Sequence, residues 1–300
     1  VSLNTDKISI ILPSKNEADS LPTLIPALKN AYASAEIIVV DDGSDDNTRE
    51  ICLKEGIRVI SHPYSKGNGA AVKTGARAAT REIIVFMDAD GQHQPEHIPP
   101  LLEMLDTGYD MVMGARRKDS QANSGRWLAN SLFSKLASWM VGQRIVDLTS
   151  GLRAVRADKF KQFLHLLPNG FSYPTTITMS FFRAGYSVGY TEVSVKDRKS
   201  GSNSHIRPLA DGVKFLLIIF RIATLYSPLK IFVPLSALFF LSGSMYYAYT
   251  FFTQGRFTNG TGLLLLAAVF IFLIGLVSEQ ITHLLYSTRA ENHPDETKKR

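Results

Sequence analysis

Short β-branched runs alternate with helical patterns along the first half of the chain. Ile8-Ser9-Ile10-Ile11-Leu12, Glu36 to Val40, Arg58 to Ser61, Ile83 to Met87 and Met111 to Met113 read as strands. Between them, Asp19 to Tyr32, Asp46 to Glu55, Gly69 to Thr80 and Pro95 to Asp106 read as helices. Apolar strands of this kind are buried on both faces, so the alternation predicts an α/β domain with a mostly parallel sheet. Ligands of such sheets collect at the carboxyl ends of the strands.

The pattern changes after Lys230. The chain is uncharged from Ile231 to Gly255 and again, past Arg256, from Phe257 to Ser278. The apolar segments Ile231 to Phe252 and Leu263 to about Tyr286 are each long enough, at about 1.5 Å per residue, to cross a hydrocarbon layer of roughly 30 Å. The glycine-containing connection Thr253 to Gly262 makes them a transmembrane hairpin with both ends on one side. Lys214, Arg221, Lys230, Arg289, Lys298, Lys299 and Arg300 flank the hairpin, against Arg256 inside it, and this asymmetry predicts a cytoplasmic N-terminal portion and cytoplasmic termini. Val1 to Lys7 has no apolar stretch of the signal-peptide kind. Glu279 and Gln280 sit in the second apolar segment, and the closeness of His283 and Arg289 places them near the cytoplasmic boundary. Two more segments read as interfacial. Ser124 to Val141 carries both tryptophans, Trp127 and Trp139, with Leu128, Leu132, Phe133, Leu136 and Met140 at helical spacing; a core-packing helix is the alternative. Pro208 to Tyr226 interleaves Lys214 and Arg221 with an apolar run leading into the hairpin.

Composition acquires meaning only against this division. A mean hydropathy of +0.02 and a pI near 9.3 average a polar domain and a membrane anchor. The 300 residues, 45% hydrophobic and 20% charged, exclude collagen-like, disordered and disulfide-scaffold classes. The single cysteine, Cys52, excludes an intrachain disulfide and reads as a buried structural thiol in a helix. The net charge of +6 suits nucleic acid, anionic lipid or a phosphate-rich ligand.

The strand ends discriminate among these. The first strand runs into Pro13-Ser14-Lys15-Asn16-Glu17, the second into Asp41-Asp42-Gly43-Ser44, the third into Lys66-Gly67-Asn68-Gly69 and the fourth into Asp88-Ala89-Asp90-Gly91-Gln92-His93. Gly67-Asn68-Gly69 is not a dinucleotide fingerprint, since Val72 stands where the third glycine is required; it reads as a loop entering a helix whose amides face phosphate. Asp88 and Asp90 repel each other unless hydrated or bridged by a cation. Their hard oxygens suit Mg²⁺ or Mn²⁺, with water and substrate phosphate completing the coordination and Gln92 or His93 as a further ligand.

In this order, the strand-end motifs together with Gly114-Ala115-Arg116, Asp147-Leu148-Thr149-Ser150-Gly151-Leu152-Arg153, Arg198-Lys199-Ser200-Gly201 and the hairpin resemble the family 2 glycosyltransferases of the GT-A fold. The chain is similar in particular to the polyprenyl-phosphate hexose synthases related to dolichyl-phosphate mannose synthase. The resemblance implies a Rossmann-like GT-A domain over 1–205, an interfacial helix at about 124–141 and a second over 206–227. A hairpin over 228–287 and a basic cytoplasmic tail over 288–300 follow. It implies that Pro13, Asn16, Glu17, Asp41, Asp42, Lys66, Asp88, Ala89 and Asp90 bind the donor. Asp88, Asp90 and Gln92 would hold Mg²⁺ or Mn²⁺. Asp90, Arg116, Arg126 and Arg198 carry catalysis, and Arg116, Arg126, Ser150 and Arg198 meet the acceptor phosphate. The family continues past Arg198 as Gly-x-Ser-Lys, whereas Gly201-Ser202-Asn203-Ser204 lacks the lysine, leaving Arg207 as a candidate for the second positive charge.

The reaction so implied is inverting transfer of a hexose from a UDP- or GDP-linked donor to undecaprenyl or dolichyl phosphate, at the inner membrane. The alternative acceptor is a hydroxyl of a glycolipid or polysaccharide. A phosphate monoester with a second pKa of about 6 needs no base, and Leu148-Thr149-Ser150-Gly151, where hydroxyl-glycosylating relatives tend to carry an acidic residue, has none except Asp147 just before it. The expected partners are the nucleotide sugar, the polyprenyl phosphate and the bilayer, with no nucleic acid and the oligomeric state open.

Overall fold

The computed structural model describes residues 5–116, 142–147, 150–170, 173–193 and 227–287, together with Lys135, Ser138, Trp139 and Thr224. The chain divides into a unit of residues 1–139 and 143–205 and a unit of residues 140–142 and 206–300.

The first unit is built on a seven-stranded sheet. In chain order it holds β1 (Ile8–Ser14), α1 (Leu21–Ala31), β2 (Glu36–Asp41), α2 (Thr48–Lys54), β3 (Arg58–Ser61), α3 (Asn68–Ala78), β4 (Ile83–Phe86), α4 (Pro99–Asp106) and β5 (Met111–Arg116). After these come β6 (Arg153–Arg156), α5 (Ala157–Gln162), α6 (Tyr173–Arg183) and β7 (Val188–Val193). The strand order is β3-β2-β1-β4-β6-β5-β7, parallel except for β6, which runs antiparallel to both β4 and β5. The expected mostly parallel α/β architecture is therefore present. Ile10, Ile11 and Leu12 of β1, Val39 and Val40 of β2 and Val85 and Phe86 of β4 are completely buried, the signature of strands covered on both faces.

Two local differences from the sequence reading have clear causes. β1 continues past Leu12 through Pro13 and Ser14, which pair with Val40 and Asp41 of β2. Pairing with β4 ends at Ile11 and Phe86, so the proline sits where one side of the strand needs no amide donor. The helix expected over Pro95 to Asp106 is split into a 3₁₀ turn at Pro95–His97 and α4 beginning at Pro99. Two consecutive prolines, Pro99 and Pro100, fit a first helical turn but not a helix interior.

The second unit contains α7 (Pro228–Gln254) and α8 (Asn259–Ser287). Gly255 ends α7 in the left-handed conformation, φ 64°, its amide donating to the Phe251 carbonyl at 2.9 Å. The helices approach closely where side chains are absent: a Cβ on Gly275 would lie 2.5 Å from Phe232 Cβ, and one on Gly243 would lie 3.0 Å from Leu265. The Ser236 hydroxyl donates to the Ala268 carbonyl at 2.8 Å. Glu279 accepts from the Leu229 amide at 3.3 Å and so serves the first turn of α7. Leu241, Met245 and Leu263 are 60%, 75% and 69% exposed, which excludes a pair of core helices and fits a hairpin whose surface faces lipid. The expected interfacial helix at 124–141 apart from three positions, the segment 206–227 apart from Thr224 and Ser227, and the tail 288–300 lie outside the described residues.

Candidate active site

The order of β2-β1-β4 reverses the direction of winding between β1 and β4, the place where open α/β sheets bind ligands. A cavity of about 470 Å³ opens there, bordered by the ends of β1 and β4, by the start of α3 and by Gly151, Tyr173 and Pro174. Pro13, Glu17, Asp42, Asp88, Ala89 and Asp90, all expected at the donor, line it, as do Lys15, Ser65 and Gly67.

Neighbouring carboxylates at the end of β2 have separate duties. Asp41 Oδ1 accepts from the Ser44 amide at 3.0 Å and shapes the turn, without bordering the cavity. Asp42 is 3% exposed and gathers four donors: His62 Nδ1 at 2.7 Å, Ser65 Oγ at 2.8 Å and the amides of Lys66 and Gly67, both at 2.8 Å. Desolvation raises the Asp42 carboxyl, but the hydrogen bonds from His62, Lys66, Gly67 and Ser65 outweigh it and hold the pKa below its ordinary value. His62 passes the tie on through Nε2, 2.9 Å from Thr74 Oγ1 of α3. The wall formed by Ser65 and Gly67 is thus strapped to the sheet by one buried carboxylate. Lys66 belongs to that wall through its backbone, and its ammonium stands 5.7 Å from the Tyr64 ring centroid.

Asn16 also acts locally. In a left-handed conformation (φ 56°), it accepts from the Asp45 amide and donates its own amide to Ser44 Oγ, both at 2.9 Å, joining the loops after β1 and β2. Gln92 meets Asp90 through its backbone, its amide donating to Oδ1 at 3.1 Å. Ser150, expected at the acceptor phosphate, is fully buried with its hydroxyl 3.4 Å from the Leu152 carbonyl, so Gly151 presents the cavity surface in its place. Arg126, Arg198 and the side chain of Arg116 lie outside the described residues, although the Arg116 backbone ends β5 opposite Val193.

Gly151 is the residue that shows what Asp88 needs. A Cβ there would stand 2.5 Å from Asp88 Cγ and 2.6 Å from Oδ1, and closer still to Oδ2. The missing side chain leaves the carboxylate its place beside the cavity. Among the described residues no three His, Cys, Asp or Glu side chains cluster as a metal site, so Asp88 and Asp90 would need the expected Gln92, water or ligand phosphate to complete a coordination shell. That hard, incomplete oxygen set fits Mg²⁺ or Mn²⁺. Behind it, Arg153 is completely buried, with Nη2 donating to the Ser150 carbonyl at 2.6 Å and Nη1 to the Pro174 carbonyl at 3.4 Å. Gly151, Arg153, Tyr173 and Pro174 were not singled out for the site in sequence; the Ser-Gly-x-Arg spacing was the available signal for the first two.

Comparison with known proteins identifies the family. Residues 9–164 match the model of glycosyl transferase family 2, and residues 227–284 match the GtrB C-terminal hairpin. Polyprenol monophosphomannose synthase of Mycolicibacterium smegmatis is 31% identical, over 68% of this chain and 84% of its own. Undecaprenyl-phosphate mannosyltransferase of Micrococcus luteus is 29% identical, over 66% and 86%. Undecaprenyl-phosphate 4-deoxy-4-formamido-L-arabinose transferase of Edwardsiella ictaluri is 29% identical over 96% of both chains. Among solved structures, glucosyl-3-phosphoglycerate synthase of Mycobacterium tuberculosis, crystallised with Mn²⁺, UDP and phosphoglyceric acid, superposes with a TM-score of 0.58 at 23% identity, covering 73% of this chain and 78% of that one. That likeness shows the shared GT-A fold. The chain belongs to glycosyl transferase family 2 and carries the GtrB C-terminal hairpin behind its catalytic domain.

Proposed function

We propose that the protein transfers a hexose from a UDP- or GDP-linked donor to the phosphate of a polyprenyl lipid, with inversion, on the cytoplasmic face of the inner membrane. The observation that carries the reading is the pairing, in one chain, of a nucleotide-sized cavity ending at Asp88 and Asp90 with an exposed apolar hairpin. The names of the relatives support a lipid phosphate as acceptor.

Asp88 and Asp90 would hold Mg²⁺ or Mn²⁺ against the donor diphosphate. Such an ion, when bound, supplies the positive charge that stabilises the leaving diphosphate. The residues of the chain do the positioning. Asp42 keeps the Ser65–Gly67 wall fixed along the donor, and Gly151 leaves Asp88 unobstructed. In the single displacement, an oxygen of the acceptor phosphate attacks the anomeric carbon as the bond to the donor diphosphate breaks. A phosphate monoester is ionised at neutral pH, so no residue needs to remove a proton. Asp42 is unsuited to that task in any case, because its oxygens are already engaged by four donors. Arg116, Arg126 and Arg198 are proposed to meet the phosphates, and the basic residues flanking the hairpin to keep both termini cytoplasmic.

A thermal-shift panel of UDP- and GDP-hexoses with Mn²⁺, on the purified full chain, tests the donor. A true donor raises the melting temperature by mass action. No stabilisation by any nucleotide sugar, with or without Mn²⁺, would count against the reading.

A further inference from the structure

Gly67 and Gly69 make room for a second stretch of backbone. A Cβ on Gly67 would lie 2.5 Å from the Asn169 carbonyl oxygen, and one on Gly69 would lie 2.8 Å from the Gly170 carbonyl oxygen and nearer still to that of Pro168. Contacts this short leave no space for a side chain at either position. The Asn169 carbonyl uses the room so provided and accepts from the Ala70 amide, in the first turn of α3, at 3.1 Å. Lys73, about one turn further along α3, grips the same segment: its ammonium donates to the Leu167 carbonyl at 3.0 Å and to Asn169 Oδ1 at 2.5 Å. At the far end of the helix the roles are exchanged, with Lys161 of α5 donating to the Ala79 carbonyl at 2.9 Å.

The segment 167–170 joins two parts of the cavity lining. Ser65, Gly67, Asn68 and Ala71 border the cavity, and so do Tyr173 and Pro174, which follow Gly170 closely in the chain. Thr74, the neighbour of Lys73 in α3, carries the other strap, through His62 to Asp42. The donor wall is thus held to the sheet by Asp42 and to the 167–170 segment by Lys73 and the Asn169 carbonyl. We propose that Lys73 and Asn169 form a latch that fixes the width of the donor cavity, and that both are positioning residues for the nucleotide sugar. Neither borders the cavity; they act through the backbone of Gly67 and Ala70 on α3 and of Pro168 to Gly170 on the other segment. A hydrogen bond from an ammonium is stronger than one between neutral groups, so most of the latch rests on Lys73. The inference rests on the reading of the cavity as a nucleotide-sugar site.

The test combines calorimetric titration of UDP and GDP, with Mn²⁺, on the full chain in detergent with the donor KM and kcat of sugar transfer. Lys73→Met is expected to weaken the accepted diphosphate and raise the donor KM by about tenfold each, with kcat changed by less than about twofold. Asn169→Ala should raise the donor KM by about threefold, and the double variant should be no worse than Lys73→Met alone, because the two side chains belong to one latch. Lys73→Arg keeps the donor and Asn169→Asp keeps the acceptor, so both should stay within about twofold of wild type. Lys161→Met removes a bond of the same kind from the other end of α3 and should lower the melting temperature without moving the donor KM. A wild-type donor KM in Asn169→Ala, or in Lys73→Met shown to be folded by circular dichroism, would overturn the proposal. A rise in donor KM with Lys161→Met as large as that with Lys73→Met would overturn it as well. Asn169 is exposed, so its variant decides the matter even where Lys73→Met does not fold. Wild-type protein that binds neither diphosphate would instead refute the donor reading itself.

Discussion

Gly151→Ala adds one methyl group to the protein, yet it is expected to disable the site. The glycine has no left-handed φ, so alanine meets no backbone strain there. The added Cβ would fall 2.5 Å from Asp88 Cγ and 2.6 Å from Oδ1, whereas ordinary contact begins at 3.4 Å. The carboxylate must then withdraw by about 1 Å, a displacement that costs roughly a hundredfold in rate when it misplaces a reacting group or its ligand. Because a short side chain can turn aside, the cost to folding should be about 1 kcal/mol, or a few degrees in melting temperature. Steady-state transfer kinetics and thermal unfolding by circular dichroism, on wild type and variant in the same detergent, separate the two effects. A variant with wild-type kcat/KM and wild-type Mn²⁺ affinity would refute the assignment of Asp88, whatever its stability.

Asp42→Asn removes the charge that gathers four donors and should cost about 3 kcal/mol of stability at neutral pH while raising the donor KM more than it lowers kcat. The folded pKa of Asp42 lies below its ordinary value of 3.8. Its contribution is therefore complete above that value and fades as pH falls through the folded pKa, so melting curves of wild type and variant should converge only in acid. Cys52 is completely buried, and desolvation, with the nearby Asp41 charge second, pushes its thiol up to about 11; thiol reagents at neutral pH should label it only after unfolding, as a colorimetric thiol assay will show. Gly275→Ala sets a Cβ 2.5 Å from Phe232 Cβ and should destabilise the hairpin by about 1–3 kcal/mol, measured as an earlier melting transition in detergent with the donor-induced shift of the catalytic domain unchanged.

The central parallel strands were legible because burial on both faces leaves little room for polar residues: Ile83-Ile84-Val85-Phe86 admits few readings. β6 was not, since Arg153-Ala154-Val155-Arg156 is bracketed by charge, and the buried Arg153 depends on contacts distant in sequence or off the strand, the Ser150 and Pro174 carbonyls and the Tyr173 ring. α6 was hidden for a related reason. Thr175, Thr176, Thr178 and Ser180 are buried beside Ile177, Met179 and Phe181, so hydroxyls interrupt the apolar pattern of its buried surface, and Thr178 and Ser180 satisfy theirs on carbonyls four residues back, at Pro174 and Thr176. At the site, the acidic pair Asp88 and Asp90 stood out by chemistry alone. The division of labour between Asp41 and Asp42 did not, because it depends on which carboxylate the strand's pleat turns toward the loop at Ser65–Gly67. Gly151 could be understood only once Asp88 was seen beside it.

Transfer of radiolabelled sugar by the full chain in vesicles containing undecaprenyl phosphate, with Mn²⁺ and UDP- or GDP-hexoses, tests the proposed reaction most directly. Label is expected to enter a phosphate-linked lipid from one donor class and to be lost with Asp90→Asn. Label found only on a hydroxyl acceptor, or an Asp90→Asn protein that turns over at the wild-type rate, would contradict the account.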